Sequence, residues 1–264
     1  MIRVAAVGDV HVGTDSGGRL RAGLEGLPAQ ADLLLLAGDL THRGRPEEAE
    51  VLVEELRDVG VPTVAVLGNH DYHSDQQDEV SAVLTQGGIR VLEGDSVVLD
   101  VAGWRVGVAG TKGFGGGFAG ASASEFGEPE MKAFVRRTKL LAAGLERALG
   151  ALQADVRVAL LHFSPVQQTL DGEPREIHAF LGSYLLAEAI DRAGADLVLH
   201  GHAHRGSPRG ATPAGIPVRN VAQPVIGRPY DVFCFEGQRL PNSSWRTATA
   251  TSGLSLNSPS TPSR

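Results

Sequence analysis

The sequence predicts an α/β fold, and three observations carry that expectation. Seven short apolar runs recur along the chain, helical patterns separate several of them, and one alternating segment reads as an antiparallel hairpin. The runs are IRVAAVG (2–8), DLLLLAG (32–38), PTVAVLG (62–68), VRVALLH (156–162), DLVLHG (196–201), PVRNVA (217–222) and DVFCFE (231–236). They are β-branched, bounded by Gly, Pro or Asp, and too continuous to be half-exposed, which suits strands covered on both faces. PEEAEVLVEELRDVG (46–60) opens on Pro46, carries acids in its first turn and stops at Gly60, each suited to that end of a helix. Residues 128–149 and 181–193 also read as helices. In SVVLDVAGWRVGVAG (96–110) two alternating runs flank Ala102 and Gly103, the pattern of a hairpin. The sum is a mixed sheet system, not a plain doubly wound sheet.

Composition narrows the function classes. With 264 residues, 42% hydrophobic and 21% charged, the chain can bury one large core. A formal net charge of −7 leaves no broad basic footprint for nucleic acid, so any phosphate must be held locally. Cys234 is the single cysteine, which excludes an intramolecular disulfide and a cysteine-based zinc cluster; in VFCFE it reads as a small buried hydrophobe. The first apolar run is too short for a signal sequence and no membrane-length apolar run occurs, so a cytoplasmic place is expected. Residues 1–240 are read as one domain, and the Ser/Thr/Pro-rich residues 241–264 as a disordered tail.

The residues at the strand ends carry the chemistry. GDVH (8–11), GDLTHRG (38–44), GNHD (68–71), HFSP (162–165) and GHAH (201–204) each succeed an apolar run. In open α/β sheets the ligand site lies outside the carboxyl ends of the strands, so these blocks should share one crevice. Carboxylate, imidazole and amide oxygen together suit manganese, iron or zinc. Asp9 and His11 can grip one ion from a single strand end, and Gly38 lets the chain turn sharply to present Asp39, a carboxylate able to bridge two ions.

The ordered set Asp-x-His, Gly-Asp, Gly-Asn-His-Asp, His, Gly-His-x-His resembles the calcineurin-like metallophosphoesterase superfamily over residues 9–204. The resemblance implies a four-layer α/β/β/α sandwich of two mixed sheets. It implies one metal held by Asp9, His11, Asp39 and His204, and a second held by Asp39, Asn69, His162 and His202. His70 matches the non-ligand histidine that assists the leaving group, with Asp71 as its orienting partner. His200 is not an expected ligand. The implied function is a phosphodiesterase that hydrolyses nucleotide-like or other small phosphate esters with two divalent ions, manganese favoured, and a hydroxide bridging them. GNHD with GHxH is similar to the bacterial cyclic-nucleotide phosphodiesterase branch. Protein phosphatases of the superfamily carry GDxxDRG, whereas His42 stands at that Asp here. A phosphomonoesterase or nucleotide pyrophosphatase would use the same metal site, and a non-catalytic scaffold is disfavoured by the full ligand set. His42, His73, His178 and Arg43 read as surface or supporting residues. GTKGFGGGFAG (110–120) lacks a P-loop ending and reads as a mobile loop at the rim.

Overall fold

The computed structural model describes residues 1–236; the expected tail at 241–264 lies outside them. Strands β1 (Ile2–Val7), β2 (Leu33–Ala37), β3 (Thr63–Val66) and β4 (Arg90–Val91) run parallel, and the last strand, β13 (Asp231–Phe235), pairs antiparallel with β1. A second sheet begins with the hairpin β5 (Asp95–Val101) and β6 (Trp104–Thr111), joined by Ala102 and Gly103, both at positive φ. A two-residue turn with both φ values positive matches the right-handed strand twist. A small ribbon, β7 (Gly117–Phe118) and β8 (Ala121–Ser122), comes next. The second sheet continues with β9 (Val156–Leu161), β10 (Leu197–His200), β11 (Arg209–Ala211) and β12 (Pro217–Asn220), in the order β11-β12-β10-β9-β6-β5. Its centre is parallel and its two edges antiparallel.

Eight α-helices are described: α1 (Arg19–Leu24), α2 (Leu27–Gln30), α3 (Pro46–Leu56), α4 (Gln77–Gln86), α5 (Pro129–Gly150), α6 (His178–Leu181), α7 (Tyr184–Ala193) and α8 (Gln223–Ile226). Strand periodicity sorts them into layers. Leu33, Leu35 and Ala37 of β2 pack with Val156, Val158 and Leu160 of β9, so the sheets meet face to face. The alternate residues Leu34 and Leu36 pack outward against Leu52 of α3 and Leu84 of α4. Ala159 and Leu161 of β9 pack the other way, against Leu145 of α5 and Leu186 of α7. Period-two alternation with both faces buried is what makes these strands read as continuous apolar runs. The result is the four-layer α/β/β/α sandwich.

Three local expectations need correction. The helix expected over 181–193 starts at Tyr184, because Gly182 is fully extended and Ser183 caps the helix by accepting from the Leu185 N–H. β13 is an edge strand with alternating burial: Phe233 and Phe235 pack against the inter-sheet core while Cys234 is exposed, not buried. The Gly-rich loop is packed down: Gly113 and Gly115–Phe118 are buried, and the Gly116 and Gly117 N–H groups donate to the carbonyls of Ala179 and Gly182 at 2.7 and 2.9 Å.

Candidate metal centre

All five blocks sit at the carboxyl ends of β1, β2, β3, β9 and β10. The loops after β1 and β2 are tied together, since the Asp9 and His11 N–H groups donate to the carbonyls of Gly38 and Asp39 at 2.9 and 3.0 Å. Asp9, His11, Asp39 and His202 all have φ between 44° and 70°. Among the described residues only Asp75 and Ala102 are the other non-glycines with positive φ. Left-handed backbone at such residues is costly and collects where a fold must aim side chains at a ligand. Two glycines supply the room. A Cβ on Gly68 would lie 2.1 Å from Asp39 Oδ1, and one on Gly38, at φ 82°, would lie 2.6 Å from the His162 ring.

The side chains converge as two clusters. Ligand atoms of Asp9, His11, Asp39 and His204 all lie within 4.8 Å of one another, and so do those of Asp39, His162 and His202. Asn69 Oδ1 stands 2.9 Å from His162 Nε2, which adds it to the second group. Asp39 is common to both.

The chemistry of the donors fits divalent cations. His162 is fully buried and donates Nδ1–H to the Ala37 carbonyl at 2.9 Å, so its Nε2 carries a bare lone pair. That lone pair faces Asp39 Oδ1 at 3.2 Å, acceptor against acceptor, which a cation between them resolves. Burial holds the His162 imidazole well below its usual range and pushes His202 down to about 3 and His11 to about 4. Neutral imidazoles are what a metal requires. His11 Nδ1 is buried without a hydrogen-bond partner. Burial also pushes Asp9 up to about 6, against the hydrogen bond it receives from His204 at 2.9 Å, and the nearby Asp39 adds repulsion. Asp9 and Asp39 thus set two buried carboxylates side by side, with the His204 imidazole at 2.9 Å from Asp9 as the partner of one of them.

His70 lies beside Asp39 without joining either cluster. Its N–H donates to Asp39 Oδ1 at 2.8 Å, its ring Nε2 stands 3.9 Å from Asp39 Oδ2, and 40% of its side chain is exposed. The expected pairing with Asp71 is not found. His70 Nδ1 donates instead to the His42 carbonyl at 2.9 Å. The fully buried Asp71 carboxylate accepts from the N–H groups of Leu40, Thr41 and Gly68 and from the Thr41 hydroxyl, at 2.6–3.2 Å. It locks the β2 loop to the β3 loop and so positions Asp39 and Asn69 together. His200 also stays out of both clusters, between the Thr169 hydroxyl (2.8 Å) and the Gly201 carbonyl (2.7 Å). His73 and Arg43 are exposed, and His178 Nε2 meets the Glu173 carbonyl at 3.3 Å.

The sequence reading missed Lys112, which ends 5% exposed beside the centre. Burial lowers it to about 8. A lone lysine in a Gly- and Phe-rich stretch after a strand was the available signal.

Two mixed sheets whose strand ends gather carboxylates and imidazoles around a shared aspartate form a candidate divalent-metal centre. The chain belongs to the calcineurin-like phosphoesterase family, whose model matches residues 2–206. A probable cyclic nucleotide phosphodiesterase of Synechococcus sp. is 34% identical over 80 residues, 26% of this chain and 31% of that protein. The match therefore spans about a third of that relative's length. The phosphopantetheinyl hydrolase of Mycobacterium tuberculosis has a similar fold, with a TM-score of 0.66 at 17% identity over 90% of this chain and 98% of that one. So does the protein TT1561 of Thermus thermophilus, with a TM-score of 0.53 at 18% identity over 88% and 98%. No helix among the described residues is long and apolar enough to cross a membrane.

Proposed function

We propose that this chain is a binuclear-metal phosphodiesterase acting on a nucleotide-like or other small phosphate ester. The observation that supports it most is the sharing of Asp39 between two ligand clusters. Such sharing would let Asp39 serve two divalent ions held close together, as suits chemistry at a phosphate ester. When bound, the ions supply Lewis acidity and a water of lowered pKa. Asp9, His11, Asp39 and His204 would hold one ion, and Asp39, Asn69, His162 and His202 the other. In its doubly protonated form His70 would give the Nε2 proton to the departing alkoxide oxygen and be left as the neutral Nδ1–H tautomer, held by the His42 carbonyl. Four imidazoles in the donor set favour manganese over magnesium. The diester preference draws on the likeness to the Synechococcus protein, and a cytoplasmic place on sequence alone.

The test is metal-stripped protein reconstituted with manganese or magnesium. The panel comprises cyclic nucleotides, aryl phosphodiesters, phosphopantetheine-bearing diesters, nucleoside polyphosphates and phosphomonoesters. The proposal expects about two ions per chain, no turnover after chelation, manganese at least as effective as magnesium, and diesters preferred. Turnover by the stripped protein would overturn the metal reading; preference for monoesters or nucleoside polyphosphates would select the rival activities.

A further inference from the structure

Lys112 carries a buried charge that the two ligand clusters do not use. It follows β6 directly, and because β6 and β9 are parallel neighbours it lies alongside the start of HFSP. The N–H groups of His162 and Phe163 both donate to its carbonyl, at 3.1 and 3.0 Å. Its side chain is 5% exposed, and no ion pair or hydrogen bond to its ammonium is found among the described residues. The nearby Glu93 carboxylate is committed to the Thr111 hydroxyl and to the Lys112 backbone N–H, each at 3.1 Å. Around Nζ stand the rings of Tyr72, Phe114 and Phe163, with centroids 4.8, 5.1 and 5.0 Å away. Aromatic faces attract a cation but leave its three N–H donors without acceptors. For the fold alone, an apolar side chain of the same length would fill this cage better than an unpaired ammonium.

The cage shares its walls with the metal centre. Tyr72 follows Asn69, His70 and Asp71, and Phe163 follows His162. The Phe163 ring centroid lies 4.3 Å from that of His202 and 5.6 Å from that of His162. The ammonium thus stands one aromatic ring from the second cluster, in a chain whose net charge of −7 otherwise repels phosphate. We propose that Lys112 is a phosphate-binding residue whose N–H donors hold an anionic oxygen of the ligand on the Asp39–Asn69–His162–His202 side of the centre. This rests on the phosphoesterase reading above.

The experiment measures inorganic phosphate binding by calorimetry, and as inhibition of turnover, on the metal-loaded full chain and on Lys112→Met and Lys112→Gln. Metal content and the melting temperature of the metal-free proteins are measured alongside. Lys112→Met should keep both metals, melt no lower than wild type, and bind phosphate on the order of 10- to 100-fold more weakly, the loss expected for a charge-assisted hydrogen bond. Lys112→Gln, which keeps a donor without the charge, should fall between. Unchanged phosphate affinity in Lys112→Met overturns the assignment. Failure of both variants to fold also overturns it, since the ammonium would then be a structural countercharge for Glu93 and Asp71. If the metal-loaded wild type neither binds phosphate nor turns over any ester, the phosphoesterase reading itself fails and takes this proposal with it.

Discussion

The two halves of the metal centre use the same residue types but stand in different surroundings. His162 is fully buried, its imidazole fixed by the Ala37 carbonyl and its neighbour Phe163 packed against His202. On the other side the His204 side chain is 41% exposed and that of His11 23%, and the His11 ring faces those of His70 and His42 toward solvent. The buried half has its imidazoles held neutral by desolvation, ready to ligate. In the open half the hydrogen bond to Asp9 raises His204, so a metal there competes with a proton. Buried imidazoles on one side and more exposed ones on the other thus flank the shared Asp39.

The largest expected effect comes from the residue both halves share. Asp39→Asn should lower turnover on the order of 1,000-fold or more and deplete both metals, read by steady-state kinetics and elemental analysis. Near-normal activity with two ions bound would separate the halves and refute the sharing.

His70→Ala tests the open half. It should keep both metals, lose about 100- to 10,000-fold on alkyl esters or cyclic nucleotides, and lose much less on p-nitrophenyl esters, whose leaving group needs little protonation. Equal losses on both would reassign His70 to holding a phosphoryl oxygen.

Asp71→Asn probes what lies beneath. An amide NH₂ would face donors where a carboxylate now accepts four hydrogen bonds, costing about 2–3 kcal/mol and lowering the melting temperature by roughly 5–10 °C. Thermal denaturation of the metal-free protein checks this. The loss should be independent of leaving group, unlike that of His70→Ala; a leaving-group-dependent loss would restore Asp71 as a partner of the imidazole.

The smallest expected effect is the pH dependence of the metal-free protein. His11, His162, His200 and His202 have folded pKa values depressed below 6.5, so the stability they contribute is present above that value and is lost as pH falls toward about 4. Asp9 and Asp71, both raised to about 6, and His204, raised by its hydrogen bond to Asp9, act oppositely, holding protons in the folded state as pH falls. The four depressed imidazoles outweigh these three groups. The melting temperature should drop by roughly 5 °C between pH 7 and 5, and a flat or rising profile would show that the buried imidazoles are not held neutral.

Much of the centre is legible in the sequence. A buried parallel strand reads as an apolar run because both faces are covered, and its carboxyl end is where the chain first meets solvent and ligand. GDVH, GDLTHRG, GNHD, HFSP and GHAH can therefore be placed at one edge from their positions after such runs. The edge strand β13 is harder to read because five residues do not reveal which sheet neighbour is missing, and Cys234 is expected inside for that reason although it is exposed.

Other features depend on contacts no local pattern encodes. Asp71 follows His70 in GNHD, so adjacency suggests partnership. Its carboxylate instead reaches Leu40 and Thr41, some thirty residues earlier, because β2 and β3 are neighbours and their loops must be tied. The Gly-rich stretch reads as loose by composition, yet packing against Ala179 and Gly182 buries it. Lys112 looks like any surface lysine until the rings of Tyr72, Phe114 and Phe163, drawn from three separate segments, close around it. The sequence by itself determined the strands, their order of chemistry-bearing blocks and the candidate donor types, because these depend on local periodicity and side-chain chemistry. Only the tertiary structure decided which donors face one another, which imidazoles are desolvated and where an ammonium is caged, because burial and hydrogen-bond partnership are set by segments distant in the chain.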